Sequence, residues 1–175
     1  MNAMAESIMD AAERRIRFGG FNGFSFREVA ADVGVKSSSV HYHFPTKERL
    51  AAAVVHRYTR EVAEIIDKEL ATGADPIRVW TRAFRGTLHS EEKMCPCAVL
   101  GAGSLDLPPE VAVEVKGFFQ MCLDKLVGAG LSKGGAAEVL STITGALVVA
   151  NALNDKGAYD RATRELMRKP NSAST

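Results

Sequence analysis

The sequence predicts an all-α protein, with a three-helix head in residues 1–47, a larger helical body in residues 48–169 and a short polar tail in residues 170–175. Three observations carry this. Apolar residues recur at steps of three and four along nearly the whole chain, the period of a helix face. Glycine, proline and capping residues punctuate that pattern where helices should start and stop. No stretch alternates apolar and polar as a half-buried strand does, and no repeat of 20–50 residues is present. About nine helices account for the pattern.

The first helix is carried by Ala5, Ile8, Met9, Ala12 and Ile16 on one face, and Gly19-Gly20 stops it. Ser25 precedes Glu28 by three residues, the spacing of a capping box. A short helix from Phe26 follows, with Phe26, Val29, Ala30 and Val33 inward, and Gly34 breaks it. Val35 packs inward at the turn. Ser37, Ser38 and Ser39 offer caps for a third short helix that ends before Pro45. Thr46 caps a much longer fourth helix, from Lys47 to about Leu70. Asp75-Pro76 opens a fifth, with Ile77, Trp80, Phe84 and Leu88 as its stripe. A short helix is expected over residues 98–103. Pro108-Pro109-Glu110 opens another, with Val111, Val115, Phe118, Phe119, Cys122 and Leu126 inward. Ser132 begins a helix that is apolar almost all round from Val139 to Leu153, and a last amphipathic piece spans residues 159–167. The polar tail is expected to be disordered.

With 175 residues, 46% of them hydrophobic and 25% charged, the chain can bury a core without staples. The formal net charge is +1, so a global basic excess does not argue for nucleic acid. Residues 1–50 carry seven basic and six acidic side chains, so any such contact must come from a local patch. Three cysteines are too few, and odd in number, for a secreted disulfide framework. No segment has the form of a signal peptide, and none approaches about 20 uninterrupted apolar residues. A cytoplasmic protein with no membrane partner is expected.

The segment 20–50 carries the chemistry. Two short helices joined by a glycine turn form a helix-turn-helix. The turn needs a residue that tolerates positive φ, which Gly34 supplies. The second helix must present one face to a major groove. Ser37, Ser38 and Ser39 are short hydrogen-bonding residues at its start, Val40 anchors it, and His41, Tyr42 and His43 bring donors and aromatic bulk. Arg27, Lys36, Thr46 and Lys47 complete the candidate DNA contacts. The bland alternative is a plain helical hairpin with ordinary surface residues.

This stretch resembles the DNA-binding head of the TetR family of regulators. The matching pieces fall in order: Gly20-Phe21, Ser25, Val29-Ala30, Val33-Gly34-Val35, the helix from Ser37 to His43, Phe44, and Lys47-Glu48-Arg49-Leu50. The resemblance covers about the first 55 residues. Lys36 stands where a capping serine is commonest, which moves the expected cap to Ser37. His41 stands where the family most often has a tyrosine near the DNA backbone, which opens that contact to Tyr42. The resemblance implies a homodimer on a near-palindromic double-stranded operator. It also implies that Lys47 meets a phosphate.

The resemblance further implies a body that holds a small effector whose binding tilts the fourth helix. Candidate lining residues are Trp80, Phe84, Met94, Cys95, Cys97, Leu100, Phe118, Phe119, Met121 and Cys122. Aromatic and methionine stripes at helical spacing are also what an ordinary core requires. Cys95-Pro96-Cys97 has three readings: inert structural thiols, a reactive thiolate at a helix N-terminus, or a metal site with His89 or Cys122. A single residue between the cysteines is shorter than the usual zinc spacing. Dimerisation is expected on Ile143, Ala146, Leu147, Ala150 and Leu153, because a helix apolar on more than one face needs two partners.

The leading expectation is a ligand-responsive repressor that is not an enzyme and carries no cofactor or metal. The rivals are a thiol- or metal-dependent enzyme and a constitutive DNA-binding scaffold. No Ser-His-Asp order, His-Glu-x-x-His or phosphate-cradling glycine loop supports catalysis.

Overall fold

A computed structural model describes residues 2–88 and 94–168, apart from the side chain of Ser104. The tail and His89 lie outside the described residues. Nine α-helices and no strand are present among the described residues. They are α1 (Ala3–Gly19), α2 (Phe26–Val33), α3 (Ser37–His43), α4 (Lys47–Leu70), α5 (Pro76–Thr87), α6 (Pro96–Ala102), α7 (Pro109–Gly128), α8 (Lys133–Ala152) and α9 (Lys156–Thr163). Single 3-10 turns occupy Phe21–Gly23 and Ser104–Asp106. Most helix bounds follow the sequence signals. Asn2, which the sequence reading passed over, caps α1 by accepting from the Met4 N–H at 3.0 Å. The last helix starts earlier than expected, because Asp155 accepts from the Gly157 N–H at 2.8 Å and sets the start there.

The chain forms two compact units, residues 1–59 with 95–118, and residues 60–94 with 119–175. The expected head, residues 1–47, lies whole inside the first unit. Ile8, Met9, Ile16, Phe24, Val29, Val40, Leu50, Val54, Leu100, Val111 and Phe118 are buried in this unit. Burying a Val, Leu, Ile or Phe side chain is worth about 1.5–3 kcal/mol, so this set dominates the stabilising side. Phe26, Val33 and Val35, expected inward, are only half-buried. Helix α1 packs on α2, α3 and α6.

Electrostatics add a second layer to that unit. Arg57 on α4 reaches three carboxylates of α1, Glu6 at 3.0 Å, Asp10 at 2.7 Å and Glu13 at 2.9 Å. Glu13 also receives Arg17 at 2.6 Å. Arg15 forks onto Asp32 of α2 at 2.6 and 2.9 Å and touches Glu28 at 3.2 Å.

The second unit is built on α5, α8 and α9, with α8 packed against both of the others. Trp80, Phe84, Leu126, Val139, Ile143, Leu147 and Tyr159 fill it. The buried Tyr159 hydroxyl donates to the Thr81 carbonyl at 2.9 Å, so its one polar atom is satisfied. Arg85 forks onto Asp160 at 2.6 and 2.8 Å. Helix α8 is long and apolar enough to cross a membrane by length and composition alone, although no such run was expected. Its valines, leucines, isoleucine and alanines supply that apolar character, and Ile143, Ala146, Leu147 and Ala150 are buried inside the chain.

Candidate nucleic-acid interface

The turn between α2 and α3 is set by backbone chemistry. Gly34 closes α2 in the left-handed region at φ +77°, ψ +31°. Its N–H bonds the Ala31 carbonyl at 3.2 Å, and the Val35 N–H reaches back to the Ala30 carbonyl at 2.9 Å. These are the paired bonds of a Schellman cap, which satisfy carbonyls the helix end would orphan. Ser25 accepts from the Glu28 N–H at 3.4 Å and donates its hydroxyl to the Glu28 carboxylate at 2.8 Å. The Ser25 hydroxyl holds the Glu28 carboxyl below its ordinary range, with Arg15 assisting.

Helix α3 is pinned by Val40, which is fully buried. Residues two positions to either side of Val40 point away from it on a helix of 3.6 residues per turn. Those residues are Ser38 and Tyr42, and both are exposed, Tyr42 to 84%. His41 is exposed beside them, with its ring edge-on to Phe26 at 4.6 Å. Ser37, Ser39 and His43 are half-buried on the flanks, and His43 meets Tyr42 at 5.2 Å. The cap expected at Ser37 lies one residue earlier, at Lys36, and makes no side-chain bond to the first-turn amides. A lysine has no acceptor to offer there. Lys36 and Arg27 are exposed.

Thr46 behaves as expected, accepting from the Arg49 N–H at 3.2 Å at the start of α4. Lys47 follows it. Its ammonium lies 4.5 Å from the Phe21 ring centroid and 4.8 Å from that of Phe24. Charge pairing then sorts the neutral head into regions. Five of the six acids in residues 1–50 are tied to arginines: Glu6, Asp10 and Glu13 to Arg57, and Glu28 and Asp32 to Arg15. Lys36, Lys47 and the exposed residues of α3 lie outside those pairs among the described residues. Lys36 and Lys47 are thus left without a carboxylate partner among the described residues, which composition could not reveal.

The candidate effector residues divide between the two units. Trp80, Phe84, Met94, Phe119, Met121 and Cys122 fall in the second, and Cys95, Cys97, Leu100 and Phe118 in the first. All are buried except Phe119 and Met121, which are half-buried. Met121 lines a cleft of about 790 Å³ with Leu70, Pro76 and Lys125, and Leu100 lines one of about 250 Å³ with Gly20 and Val99. The Trp80 indole N–H is buried and meets no acceptor among the described residues. An unmet buried donor costs about 1–3 kcal/mol.

Cys95 caps α6 and is buried, and Cys97 is buried two residues on. Burial pushes the Cys95 thiol up, but hydrogen bonding from Cys97, from the Ala98 amide and from Tyr58 outweighs it and brings the pKa down to about 7. Burial raises the Tyr58 phenol well above its ordinary value. Tyr58 sits on α4 with the Arg17 guanidinium 5.2 Å from its ring centroid. No three His, Cys, Asp or Glu side chains come together as a metal site among the described residues.

The residues expected at a dimer face on α8 differ in exposure. Ile143, Ala146, Leu147 and Ala150 pack inside the chain, so a partner cannot reach them, whereas Leu153 is 64% exposed. The stripe that α8 leaves open is Ala137, Ser141, Gly145, Val148, Val149 and Ala152. Sequence reasoning missed this stripe, the Phe21 and Phe24 rings at Lys47, and the Arg57 cluster. The stripe was legible as spacing, but the ring and cluster contacts join residues too distant in sequence for any periodicity to show.

Residues 8–54 match the sequence model of the family described as bacterial regulatory proteins, tetR family. No curated protein matches. Among solved structures, a TetR-family transcriptional regulator from Agrobacterium tumefaciens is 26% identical, with a TM-score of 0.90 over 97% of this chain and 98% of that one. A TetR transcriptional regulator from Legionella pneumophila is 25% identical, with a TM-score of 0.87 over 96% and 97%. The reduced form of E. coli NemR shares the fold at 16% identity, with a TM-score of 0.81 over 97% and 99%.

Proposed function

We propose that this chain, a TetR-family transcription regulator whose helix-turn-helix is its DNA-binding unit, acts as a homodimeric repressor that a small effector releases from its operator. The observation that carries this is the face of α3: Ser38, His41 and Tyr42 exposed around a buried Val40, behind the Gly34 turn. That face suits a major groove, with Ser38 and Tyr42 nearest the bases and Lys36, Thr46 and Lys47 on phosphates. Arg27, Ser37, Ser39 and His43 flank it. The dimer uses the open stripe of α8 together with Leu153. Two heads related by a two-fold axis read two half-sites. The protein works in the cytoplasm and has no enzymatic role.

The effector is read by the second unit, where the unmet indole N–H of Trp80 favours a ligand carrying a hydrogen-bond acceptor. Ligand binding releases DNA only if the ligand prefers one of two states of the protein. A thiol-directed signal is a second reading, favoured by the place of Cys95 as the N-terminal cap of α6, where Cys97, the Ala98 amide and Tyr58 lower its pKa. Hydrogen peroxide would take the Cys95 thiolate to the sulfenate and leave water. Peroxide should then release DNA from the wild type but not from Cys95→Ser, and equal release from both ends this second reading.

Selection of duplexes from a random library tests the main reading. The expected product is an enriched near-palindrome whose half-sites lie about one helical turn or somewhat more apart. Enrichment of a single unrepeated site would contradict the dimeric repressor.

A further inference from the structure

Three arginines of the first unit are positioned by carboxylates, which offset their charge. Arg15 lies on Asp32 and Glu28, Arg17 on Glu13, and Arg57 on Glu6, Asp10 and Glu13. Lys47 is positioned differently. Its Nζ lies over the faces of Phe21 and Phe24, at 4.5 and 4.8 Å from the centroids. The two rings meet edge to face, 6.3 Å apart and 85° to one another. Among the described residues no carboxylate pairs with Lys47. Phe24 is buried and gives a fixed wall, and Phe21 opens the 3-10 turn that Gly20 starts at φ +64°, ψ −158°. That backbone conformation is essentially a glycine one.

We propose that Phe21 and Phe24 form a two-walled aromatic clip that presents the Lys47 ammonium to a DNA phosphate with its charge intact. They are positioning residues. The clip rests on the reading of Lys47 as a phosphate contact. A lysine side chain is flexible and strongly hydrated, and holding it on a phosphate forfeits rotamer freedom. Ring faces attract an ammonium through their quadrupole without neutralising it. The rotamer freedom is therefore spent before DNA arrives, and the full charge remains for the phosphate. Lys47 is also the first residue of α4, where the helix amides and dipole favour the same anion.

The test uses the full chain and a random-sequence duplex of about 24 base pairs, a length that holds two successive half-sites of about 10 base pairs. Binding is titrated against salt for wild type, Phe21→Leu, Phe21→Tyr, Lys47→Met and the Phe21→Leu/Lys47→Met pair. Lys47→Met should reduce the slope of log affinity against log salt by about one phosphate. Phe21→Leu should keep that slope and weaken binding about two- to fivefold. Phe21→Tyr should restore it. In the Lys47→Met background, Phe21→Leu should have no further effect. The Lys47 ε-methylene proton resonance should show a ring-current upfield shift in the free wild type and a smaller one in Phe21→Leu. If Lys47→Met leaves the slope unchanged, the phosphate reading falls. If it lowers the slope while Phe21→Leu weakens both backgrounds equally, the phosphate contact stands and the clip is overturned, because the ring then acts only as packing.

Discussion

Gly34→Ala should cost about 1–2 kcal/mol, the penalty for an L-residue in the left-handed region. The cost is conformational and not steric: φ is +77°, and an added Cβ would meet no atom within 4 Å. Denaturant midpoints of Gly34→Ala and Gly34→Asn check this, with asparagine expected to lose less. The need for glycine at this position was legible in the sequence, because α2 ends there and α3 begins three residues on. Cys95 is the opposite case. Its spacing from Cys97 was visible, but its pKa depends on Tyr58, 37 positions away in the chain. With the folded pKa near 7 and the ordinary thiol value near 9, the thiolate contributes stability above pH 9 that fades as pH falls through 7. The thiolate ultraviolet absorbance that Cys95→Ser removes should therefore titrate with a midpoint near pH 7. A midpoint near 9 would show that Cys97 and Tyr58 do not hold the thiolate.

At the scale of elements, the bounds of α4 were readable because Pro45 and Thr46 act locally. What α4 packs against was not, since Arg57 meets carboxylates 44 to 51 residues earlier. Removing one partner from a partly buried ion cluster leaves uncompensated charge at its more buried members, Arg57 and Glu13. Arg57→Met should therefore destabilise the protein by about 2–4 kcal/mol, at the lower side of the buried-pair range because Asp10 is half exposed. Thermal unfolding of this variant beside exposed Arg60→Met, expected near neutral, makes the comparison. Helix α8 shows a subtler limit. Its composition announced two apolar faces, yet periodicity does not say which face the chain keeps for itself. The tight side is Ile143, Ala146, Leu147 and Ala150, and the open side carries Val148 and Val149.

For the whole molecule, the fold class was legible because helix periodicity and capping agree along the chain. The neutral charge of the head was misleading for a physical reason: net charge averages over pairs that the fold segregates. Arg15 and Arg57 absorb five carboxylates on α1 and α2, and Lys36 and Lys47 are left near α3. At this scale the proposed dimer is tested on α8. Val149→Glu/Leu153→Glu should convert a dimer into monomers in sedimentation velocity, since a charge inside an apolar contact is costly. The same variant should bind a single half-site with normal affinity and lose tight binding to a paired site.

The most direct test of the helix-turn-helix as a sequence reader is competition binding at physiological salt. Labelled duplex from upstream of the coding region is challenged with unlabelled upstream or random DNA, for wild type and Tyr42→Ala. Wild type should prefer upstream DNA by at least about a thousandfold, and Tyr42→Ala should erode that preference. Equal competition by the two DNAs, or a Tyr42→Ala variant as selective as wild type, would contradict the assignment of α3 to the groove.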